Sequence, residues 1–319
     1  MDLLDIQGLT THFFTRAGVV KAVDDLNIRL QKGRVLGLVG ESGCGKTVTA
    51  LSILNLVPYP GRIVAGKILF EGRDLRTLSS EEMRSIRGAR ISMIFQEPMT
   101  ALNPVFTVGN QIAEVLTTHR KTTKKEALAE AVELLRSVGI PSPEKRADEY
   151  PHQLSGGMRQ RVMIAMAIAC KPPLILADEP TTALDVTIQA HILALLGRIQ
   201  EEMGMAMILV THDLGLIAER THEVAVMYAG KIVEQAETRE LFADPRHPYT
   251  RGLMASIPKP GEEGRRRLRT IAGAVPRLDD LPQGCAFVPR CDMKTGRCEL
   301  EPAVVEVRPG HLVRCWEAK

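Results

Sequence analysis

The stretch Gly40-Glu41-Ser42-Gly43-Cys44-Gly45-Lys46-Thr47 decides the fold of this chain of 319 residues. It fits the pattern G-x-x-x-x-G-K-[ST] at every fixed position, and this pattern is typical of a phosphate-binding loop. The apolar run 35–39 before it predicts a buried strand, and the apolar spacing after it predicts a helix that we expect to end at Pro58. Strand, glycine-rich loop and helix are the context that the motif requires, so we expect this loop to hold phosphate groups.

Each residue type in the loop suits the binding of phosphate. Backbone N–H groups can surround the phosphate oxygens, and the start of the following helix favours an anion. Lys46 can reach the outer phosphates, and Thr47 can bind magnesium through its hydroxyl group. Cys44 stands at a variable position, where a helix start could lower its pKa or where it could serve as a small filler. The predicted cofactor-binding residues of the loop are Ser42, Gly43, Cys44, Gly45, Lys46 and Thr47.

Composition and charge exclude several classes of protein. The net charge is +3, the pI is near 8.5 and 45% of the residues are hydrophobic, which predicts a sizeable core and argues against a dedicated nucleic-acid binder. No apolar run approaches the roughly 18 residues that span a bilayer, and residues 1–5 lack the basic start of a signal peptide. We therefore expect a cytosolic protein whose membrane role depends on a partner. In that compartment its cysteines are expected to be thiols or metal ligands.

Apolar runs alternate with helical patterns along the chain, which predicts an α/β fold with a mostly parallel sheet covered by helices. Apolar stripes predict helices over 124–138 and 187–203, and Gly139 is a candidate helix end. The candidate capping boxes are Thr123 with Glu126 and Ser79 with Glu82. The predicted strands are 35–39, 91–95, 174–177, 206–210 and 224–227.

Two carboxylates end one of the predicted strands. Asp178 and Glu179 follow the apolar run 174–177. An acid at a strand edge beside a phosphate loop can hold magnesium, and the next residue can orient or deprotonate the attacking water. We therefore predict that Asp178 is a magnesium ligand and that Glu179 is the catalytic base.

A Ser-Gly-Gly sequence opens a further predicted helix. Ser155 and the glycines after it would present a hydroxyl group and open N–H groups at the helix start, which is an anion-binding arrangement. Taken alone, Ser-Gly-Gly is also a common turn. The sequence therefore leaves both interpretations of Ser155 and Gly157 open at this point.

The order of these motifs resembles that of ATP-binding-cassette ATPases, over residues 1 to about 250. The motifs that carry the resemblance are 40–47, Gln96, 154–158, Asp178-Glu179, Ala183-Leu184-Asp185 and His212. The resemblance implies a P-loop NTPase fold with a RecA-like core, an antiparallel β subdomain and a helical subdomain at about 99–158. These would form a nucleotide-binding domain over 1–255. ATP and Mg²⁺ are the cofactors that it implies.

The resemblance also implies roles for residues around the nucleotide of the same subunit. Phe13, or its neighbour Phe14, is similar to the aromatic residue that stacks on adenine, and an ordinary core Phe is the alternative. Gln96 resembles the glutamine that senses magnesium and the attacking water, which makes it both a magnesium ligand and a catalytic candidate. His212 resembles the histidine that contacts the γ-phosphate.

Further roles concern a second subunit. Ser155 and Gly157 resemble the residues that contact the γ-phosphate bound by the opposite subunit, and Asp185 resembles the aspartate that couples the two sites. The family's design is a sandwich, in which ATP closes a dimer and hydrolysis opens it. A single chain then carries only half of each site, so the resemblance implies that a partner ATPase is required for turnover.

The composition changes after residue 256. Pro and Gly become frequent and regular apolar spacing fades, so we expect a tail over 256–319 that needs a staple because it can bury little apolar surface by itself. Four thiolates in a small tail suggest a metal or iron–sulfur staple, and four unrelated thiols are the alternative. The tail cysteines are Cys285, Cys291, Cys298 and Cys315.

The tail also resembles the C-terminal extension of oligopeptide and dipeptide importer ATPases. The similarity is carried by Arg246-His247-Pro248-Tyr249-Thr250, by 284–287 and by Arg290-Cys291, and 98–104 is similar to the same family. The resemblance implies a 4Fe–4S cluster held by the four tail cysteines. The basic run 265–269 could face anionic lipid headgroups or form a solvated loop.

The sequence as a whole predicts the ATP-hydrolysing subunit of a bacterial dipeptide and oligopeptide importer, peripheral on the cytoplasmic face of the inner membrane. The expected partners are a second ATPase or a copy of this chain, two membrane permease subunits and an extracytoplasmic solute-binding protein, with no nucleic acid. Nickel, opines or other small solutes remain open as cargo. A soluble cassette ATPase on nucleic acid or ribosomes is less favoured, because those proteins usually carry two cassettes. An exporter is disfavoured by the tail.

Overall fold

The computed structural model describes residues 2–182, 185–256 and 271–318, and for residue 186 the backbone alone. Within these residues the strands are β1 (Asp2–Thr15), β2 (Gly18–Gln31), β3 (Val35–Val39), β4 (Gly61–Phe70), β5 (Arg73–Asp74), β6 (Ile91–Ile94), β7 (Leu174–Asp178), β8 (Ala206–Thr211), β9 (Glu223–Tyr228), β10 (Lys231–Glu237), β11 (Val305–Arg308) and β12 (His311–Val313). The helices are α1 (Lys46–Ile53), α2 (Ser80–Ile86), α3 (Pro98–Ala101), α4 (Val108–His119), α5 (Lys124–Ser137), α6 (Pro143–Ala147), α7 (Gly156–Ile168), α8 (Val186–Met203), α9 (Leu214–Arg220), α10 (Thr238–Ala243) and α11 (Pro248–Ala255). The basic run 265–269 and the residues Ala183 and Leu184 of the predicted loop motif lie outside the described residues.

The chain divides into two compact units. The first unit comprises Met1–Leu30, Val35–Arg76 and Val210–Lys319, and the second comprises Gln31–Arg34 and Thr77–Leu209. The first unit therefore holds the phosphate loop and the C-terminal residues. The second unit holds most of the helices, together with the strand that ends at Asp178.

One sheet of the first unit is antiparallel, with the strand order β2-β1-β4-β5. In the pairing of β1 with β4, Leu4 lies opposite Phe70 and Phe13 lies opposite Gly61. Apolar side chains such as Ile6 and Ile68 on these strands are buried, at 1% exposure each. An antiparallel sheet with one buried face follows from such alternation of apolar and polar residues.

The first unit also contains the strand order β11-β12-β10-β9-β3. Strands β3 and β9 are parallel, with Leu36 opposite Glu223, and nearly all their residues are apolar and buried, as expected for parallel strands covered on both faces. Strand β12 pairs antiparallel with β10, with Val313 opposite Glu234. The C-terminal residues are thus joined to the sheet by backbone hydrogen bonds.

The second unit combines the strand order β8-β7-β6 with a group of packed helices. Strands β6 and β7 are parallel, with Ile91 opposite Leu174. Helices α4 and α5 bury Leu116 and Ala127 in one apolar cluster with Ala169. Across the described residues, none of the helices combines the length and the apolar character needed to cross a bilayer.

Most predicted elements are confirmed. Each of the five predicted strands is present with its ends displaced by at most one residue, and the helices predicted over 124–138 and 187–203 are α5 and α8. Both predicted capping boxes are formed, at Ser79 with Glu82 and at Thr123 with Glu126. The sheet is less parallel than predicted, because the C-terminal strands β10, β11 and β12 pair antiparallel.

The helix after the phosphate loop ends earlier than predicted. Helix α1 stops at Ile53 rather than at Pro58. Asn55 has a φ of 51°, a left-handed conformation that asparagine tolerates and that commonly ends helices. The N–H group of Leu56 donates to the carbonyl oxygen of Leu51 at 2.8 Å, so this turn ends the helix before the proline.

Candidate nucleotide site

The phosphate loop connects β3 to α1 in the first unit. Gly43 and Gly45 have left-handed backbone conformations, with φ of 80° and 110°. A Cβ atom at position 45 would lie 2.2 Å from the carbonyl oxygen of Ala22, so this position needs glycine for space as well as for conformation. Helix α1 begins directly after Gly45, and the N–H groups at the start of a helix favour an anion.

Lys46 is buried, with 5% of its surface exposed. Its Nζ donates hydrogen bonds to the carbonyl oxygens of Gly40, at 2.8 Å, and of Glu41, at 3.1 Å. The ammonium group therefore lies over the loop, where a phosphate oxygen can replace a carbonyl oxygen as its acceptor. Ser42 and Thr47, two further loop residues predicted to bind the nucleotide, are exposed.

Cys44 fills the inside of the loop, with 1% of its surface exposed. Its carbonyl oxygen accepts a hydrogen bond of 2.9 Å from the N–H group of Gly230. Burial raises the pKa of the Cys44 thiol, and the nearby Lys46 opposes this effect only in part. The lowered-pKa alternative for Cys44 is therefore wrong, and the residue acts as a small filler.

Glu179 directly follows β7, and its carboxylate accepts hydrogen bonds from residues of the same unit. Nε2 of Gln96 donates to Oε2 of Glu179 at 3.0 Å, and Oγ1 of Thr182 donates to the same oxygen at 2.8 Å. Glu179 also has a φ of 44°, a conformation that is costly for a residue with a side chain and that often occurs at functional sites. The second unit thus brings two predicted catalytic residues, Gln96 and Glu179, into direct contact.

The predicted magnesium ligands supply the right kind of donor atom. Asp178 is the last residue of β7 and is 2% exposed. Together with the hydroxyl group of Thr47 and the amide of Gln96, its carboxylate offers oxygen atoms, which Mg²⁺ prefers, and Mg²⁺ usually completes its shell with water and phosphate oxygens. Thr47 belongs to the first unit, and Gln96 and Asp178 belong to the second. Each of the three residue types therefore suits the role predicted for it, and their joint binding of Mg²⁺ stays a prediction.

Two predicted contacts to a nucleotide stand at helix starts in the second unit. Ser155 caps α7 and accepts a hydrogen bond of 3.4 Å from the N–H group of Met158. Asp185 caps α8 and accepts one of 2.9 Å from the N–H group of Ile188. A Cβ atom at Gly157 would lie 3.0 Å from Cγ2 of Ile188, so glycine permits the close packing of α7 on α8. Both capping side chains are exposed, as contacts to another subunit require.

The remaining predicted residues belong to the first unit. His212 directly follows β8 and is exposed. Phe13 is half-buried, whereas Phe14 is 38% exposed and has the guanidinium group of Arg62 at 4.6 Å from its ring centroid. The contact of His212 with a γ-phosphate and the choice between the two aromatic residues for adenine both stay predictions.

The predicted 4Fe–4S cluster is wrong. The residues that the structure describes, among which are all the cysteines, contain no group of three or more His, Cys, Asp or Glu side chains that could hold a metal ion. Burial raises the pKa of the Cys285, Cys291 and Cys315 thiols. The tail cysteines Cys285, Cys291, Cys298 and Cys315 are thiols that line one narrow cavity together with apolar side chains such as Phe287.

Packing and strand pairing, rather than a metal, attach the tail. The Phe287 ring is 3% exposed and lies 5.2 Å from the ring of Tyr228 and 5.4 Å from that of Tyr249, measured between centroids. His311 in β12 is fully buried, and its Nε2 lies 2.8 Å from Oε1 of Glu234. With the pairing of β12 and β10, these contacts supply the staple that the composition of the tail requires.

Two residues after position 233 contact the phosphate loop directly. The guanidinium group of Arg290 donates to both carboxylate oxygens of Glu41, at 2.6 and 2.9 Å. Tyr249 accepts, on its hydroxyl oxygen, a hydrogen bond of 2.9 Å from the N–H group of Glu41. Sequence reasoning missed these contacts, as it missed Thr182, because no local pattern marks the residues as partners.

Two family models match this chain. The model described as ABC transporter matches residues 23–182, and the one described as oligopeptide/dipeptide transporter, C-terminal region, matches residues 233–298. The chain is 52% identical over 318 residues to the "Probable peptide ABC transporter ATP-binding protein" of Sinorhizobium fredii, covering 99% of this chain and 95% of that protein. It is 48% identical over 316 residues to the dipeptide transport ATP-binding protein DppD of Escherichia coli, covering 99% of this chain and 96% of that protein.

Solved structures share the fold. The dimeric ATP-binding cassette MJ0796, in a post-hydrolysis state bound to ADP and phosphate, has a TM-score of 0.67 and 27% sequence identity, and the match covers 74% of this chain and 99% of that chain. CbiO1 from Clostridium perfringens, part of an ABC transporter complex, has a TM-score of 0.64 and 26% identity, covering 76% of this chain and 91% of that chain.

Proposed function

The chain belongs to the ABC transporter family of ATP-binding proteins, and from this premise we propose that it is the ATP-hydrolysing subunit of a peptide importer. One observation carries the proposal. A single chain joins an ABC transporter match at 23–182 to an oligopeptide/dipeptide transporter match at 233–298. Relatives named for peptide and dipeptide transport match it over 99% of its length, which supports a peptide as the cargo.

The described residues suit the hydrolysis of ATP. Lys46 and the N–H groups of the loop would hold the outer phosphates, and Glu179, oriented by Gln96, would accept a proton from the attacking water. Thr47 and Asp178, with Gln96, would bind Mg²⁺, which neutralises charge on the phosphates. The rate enhancement then comes from positioning and from charge stabilisation in the site.

A second subunit would complete the site. Ser155 and Gly157 at the start of α7 would contact the γ-phosphate of a nucleotide held by the partner, and Asp185 would couple the two sites. His212 would contact the γ-phosphate, and Phe13 or Phe14 would stack on adenine. The exposure of Ser155, Asp185 and His212 supports these roles, since a buried side chain could not reach a partner or its ligand.

The assembly that follows is a membrane transporter in which this chain is peripheral. Its partners would be two permease subunits in the inner membrane, a second ATPase of the same family or a copy of this chain, and an extracytoplasmic solute-binding protein. The nucleotide-binding domain would extend over 1–255, with a helical subdomain at about 99–158 and a C-terminal extension over 256–319. The chain would lie on the cytoplasmic face.

Uptake in cells tests both the activity and the cargo. A strain from which this gene is deleted should lose uptake of a radiolabelled dipeptide, and the wild-type gene should restore it. Lys46→Ala should not restore uptake, because ATP binding is lost. If the wild-type gene restored uptake of nickel or of an opine but not of peptides, the assignment of a peptide as the cargo would be wrong. If the purified chain brought down ribosomes and no permease, the proposal that it is an importer subunit would be wrong.

A further inference from the structure

Glu41, within the phosphate loop, is paired with an arginine from the far end of the chain. The guanidinium group of Arg290 donates one hydrogen bond to each carboxylate oxygen, at 2.6 and 2.9 Å. The Arg290 side chain is 3% exposed and that of Glu41 is 29% exposed. A bidentate pair with one member buried fixes both direction and distance, which a surface pair does not do.

Arg290 is itself held in place. Its Nε donates to the carbonyl oxygen of Ala272 at 3.1 Å, and its guanidinium carbon lies 5.9 Å from the ring centroids of Tyr228 and Phe287. The pairing with Glu41 raises the pKa of Arg290 further above its usual range, so the group stays charged at every working pH. The charged guanidinium group of Arg290 is therefore held in place beside the phosphate loop.

The backbone of Glu41 is held as well as its side chain. Its N–H group donates to the Tyr249 hydroxyl oxygen at 2.9 Å, and its carbonyl oxygen accepts from Nζ of Lys46 at 3.1 Å. The Tyr249 ring lies 4.7 Å from that of Tyr228, between centroids. Tyr249 and Arg290 both fall in the segment matched by the oligopeptide/dipeptide C-terminal model, at 233–298. The C-terminal segment therefore holds Glu41 in place. The carbonyl oxygen of Glu41 is in turn a hydrogen-bond acceptor for Lys46, the residue proposed to bind phosphate.

Charge gives this contact a second consequence. Glu41 places a carboxylate in a loop whose ligand is a polyanion, and an unpaired carboxylate there would repel the phosphates. Partial burial weakens the screening of that repulsion by salt. Arg290 removes the repulsion by pairing with the carboxylate, and it does so without occupying the N–H groups of the loop.

We propose that Arg290 is a positioning residue for ATP, which acts through Glu41 to shape and neutralise the phosphate loop. The C-terminal segment is then part of the nucleotide-binding machinery and does more than extend the sheet. This inference rests on the proposed function, because it takes ATP as the ligand of the loop.

The test measures MgATP affinity of the full-length chain by titration. Arg290→Gln should weaken affinity by about fivefold or more, the size of a typical coupling between two sites. Arg277→Gln is the matched control, since Arg277 also pairs with a carboxylate, that of Asp279 at 2.7 Å, but has a side chain that is 79% exposed. The control should bind MgATP as the wild type does. In steady-state assays the loss should fall on KM and not on kcat.

A double-mutant cycle separates positioning through Glu41 from general damage. In a Glu41→Gln background the carboxylate is gone, so adding Arg290→Gln should cost little further affinity. Effects that multiply in the double variant would overturn the proposal, and so would unchanged affinity in Arg290→Gln. If Arg290→Gln does not fold, as its thermal unfolding would reveal, Glu41→Asp serves instead. It keeps the charge and breaks the bidentate geometry, and unchanged affinity in Glu41→Asp would equally overturn the proposal.

Lys46→Ala distinguishes a failure of the role of Arg290 from a failure of the proposed ATP-binding function. Its loss of MgATP affinity is required by the proposed function itself. If Lys46→Ala loses affinity while Arg290→Gln does not, the role of Arg290 fails and the proposed function stands. If Lys46→Ala binds MgATP as the wild type does, the loop is not the nucleotide site and both fail together.

Discussion

The carboxylate of Glu179 accepts hydrogen bonds from Gln96 at 3.0 Å and from Thr182 at 2.8 Å. Glu179→Gln keeps the shape of the side chain and removes its ability to take a proton. We expect this variant to bind ATP with wild-type affinity and to hydrolyse it at least about a hundredfold more slowly, the usual contribution of a general base. Phosphate release and nucleotide titration measure the two effects.

The control for Glu179→Gln is Glu202→Gln, in which an exposed glutamate that pairs with Arg198 makes the same chemical change. Its hydrolysis rate should equal that of the wild type. Unchanged turnover in Glu179→Gln would contradict the assignment of the catalytic base.

His247 makes the folding stability of this chain depend on pH. It is 1% exposed and caps α11 by accepting, on Nδ1, a hydrogen bond of 3.0 Å from the N–H group of Tyr249. Burial, with a smaller effect from the charge of Arg251, lowers its pKa from 6.5 to about 3. Between pH 6.5 and 3 this histidine is therefore protonated in the unfolded chain and neutral in the folded chain, so its contribution to stability is lost as the pH falls.

His247→Asn tests this dependence, since asparagine can still cap the helix and does not titrate. The free energy of unfolding of the wild type should fall, relative to that of the variant, by about 1.4 kcal/mol per pH unit below pH 6.5. Urea denaturation at pH 7, 6 and 5 measures the two curves. Curves that run parallel over this range would mean that the buried imidazole does not govern the loss.

At the scale of elements, the C-terminal residues are stabilised by packing of one aromatic ring. Phe287 is 3% exposed among Tyr228, Tyr249 and His247. Phe287→Ala should cost about 3–5 kcal/mol, as deletion of a buried aromatic side chain usually does. Hydrogen exchange should become faster in β12, because looser packing of the tail should also weaken the backbone hydrogen bonds between β12 and β10. Leu300→Ala, which removes a side chain that is 66% exposed, should leave exchange unchanged, and equal exchange in both variants would contradict the role of the ring.

Local sequence patterns predicted the elements that carry the proposed nucleotide-binding residues. The glycine-rich loop, the strand that ends at Asp178 and the cap at Ser155 each depend on residues that are adjacent in the chain. The attachment of the tail could not be predicted in this way. Strand β12 spans only three residues, too few for alternation to show. The four cysteines therefore suggested a metal staple, whereas the described residues attach the tail through Phe287 packing and the pairing of β12 with β10.

The contacts between distant residues were equally invisible. Arg290 and Glu41 lie 249 positions apart, and His311 and Glu234 lie 77 positions apart. Arg290-Cys291 belongs to the segments that resemble importer ATPases, but nothing in that resemblance indicates that Arg290 pairs with Glu41. Such pairs form because the fold brings distant residues together, so they can be identified only from the three-dimensional structure.

At the scale of the whole molecule, the decisive property is that each chain would supply half of two nucleotide sites. Ser155 tests this, because its structural role and its proposed role can be separated. It caps α7 through a hydrogen bond of 3.4 Å from the N–H group of Met158, and aspartate caps a helix as well as serine does. Ser155→Asp should therefore keep the thermal stability of the wild type, while its negative charge would repel the γ-phosphate of a nucleotide bound by the partner.

The measurement uses the Glu179→Gln background. Because this variant should bind ATP without hydrolysing it, a closed dimer should accumulate when ATP is added, formed either by two copies of this chain or with a co-expressed second ATPase. Light scattering after size exclusion should show an ATP-dependent dimer for Glu179→Gln alone and monomers for the double variant with Ser155→Asp. Nucleotide titration should show that each monomer still binds ATP, because its own phosphate loop is unchanged. A dimer that persists in the double variant would mean that the start of α7 does not contact the partner's nucleotide, and the two half-sites would have to be assigned to other residues.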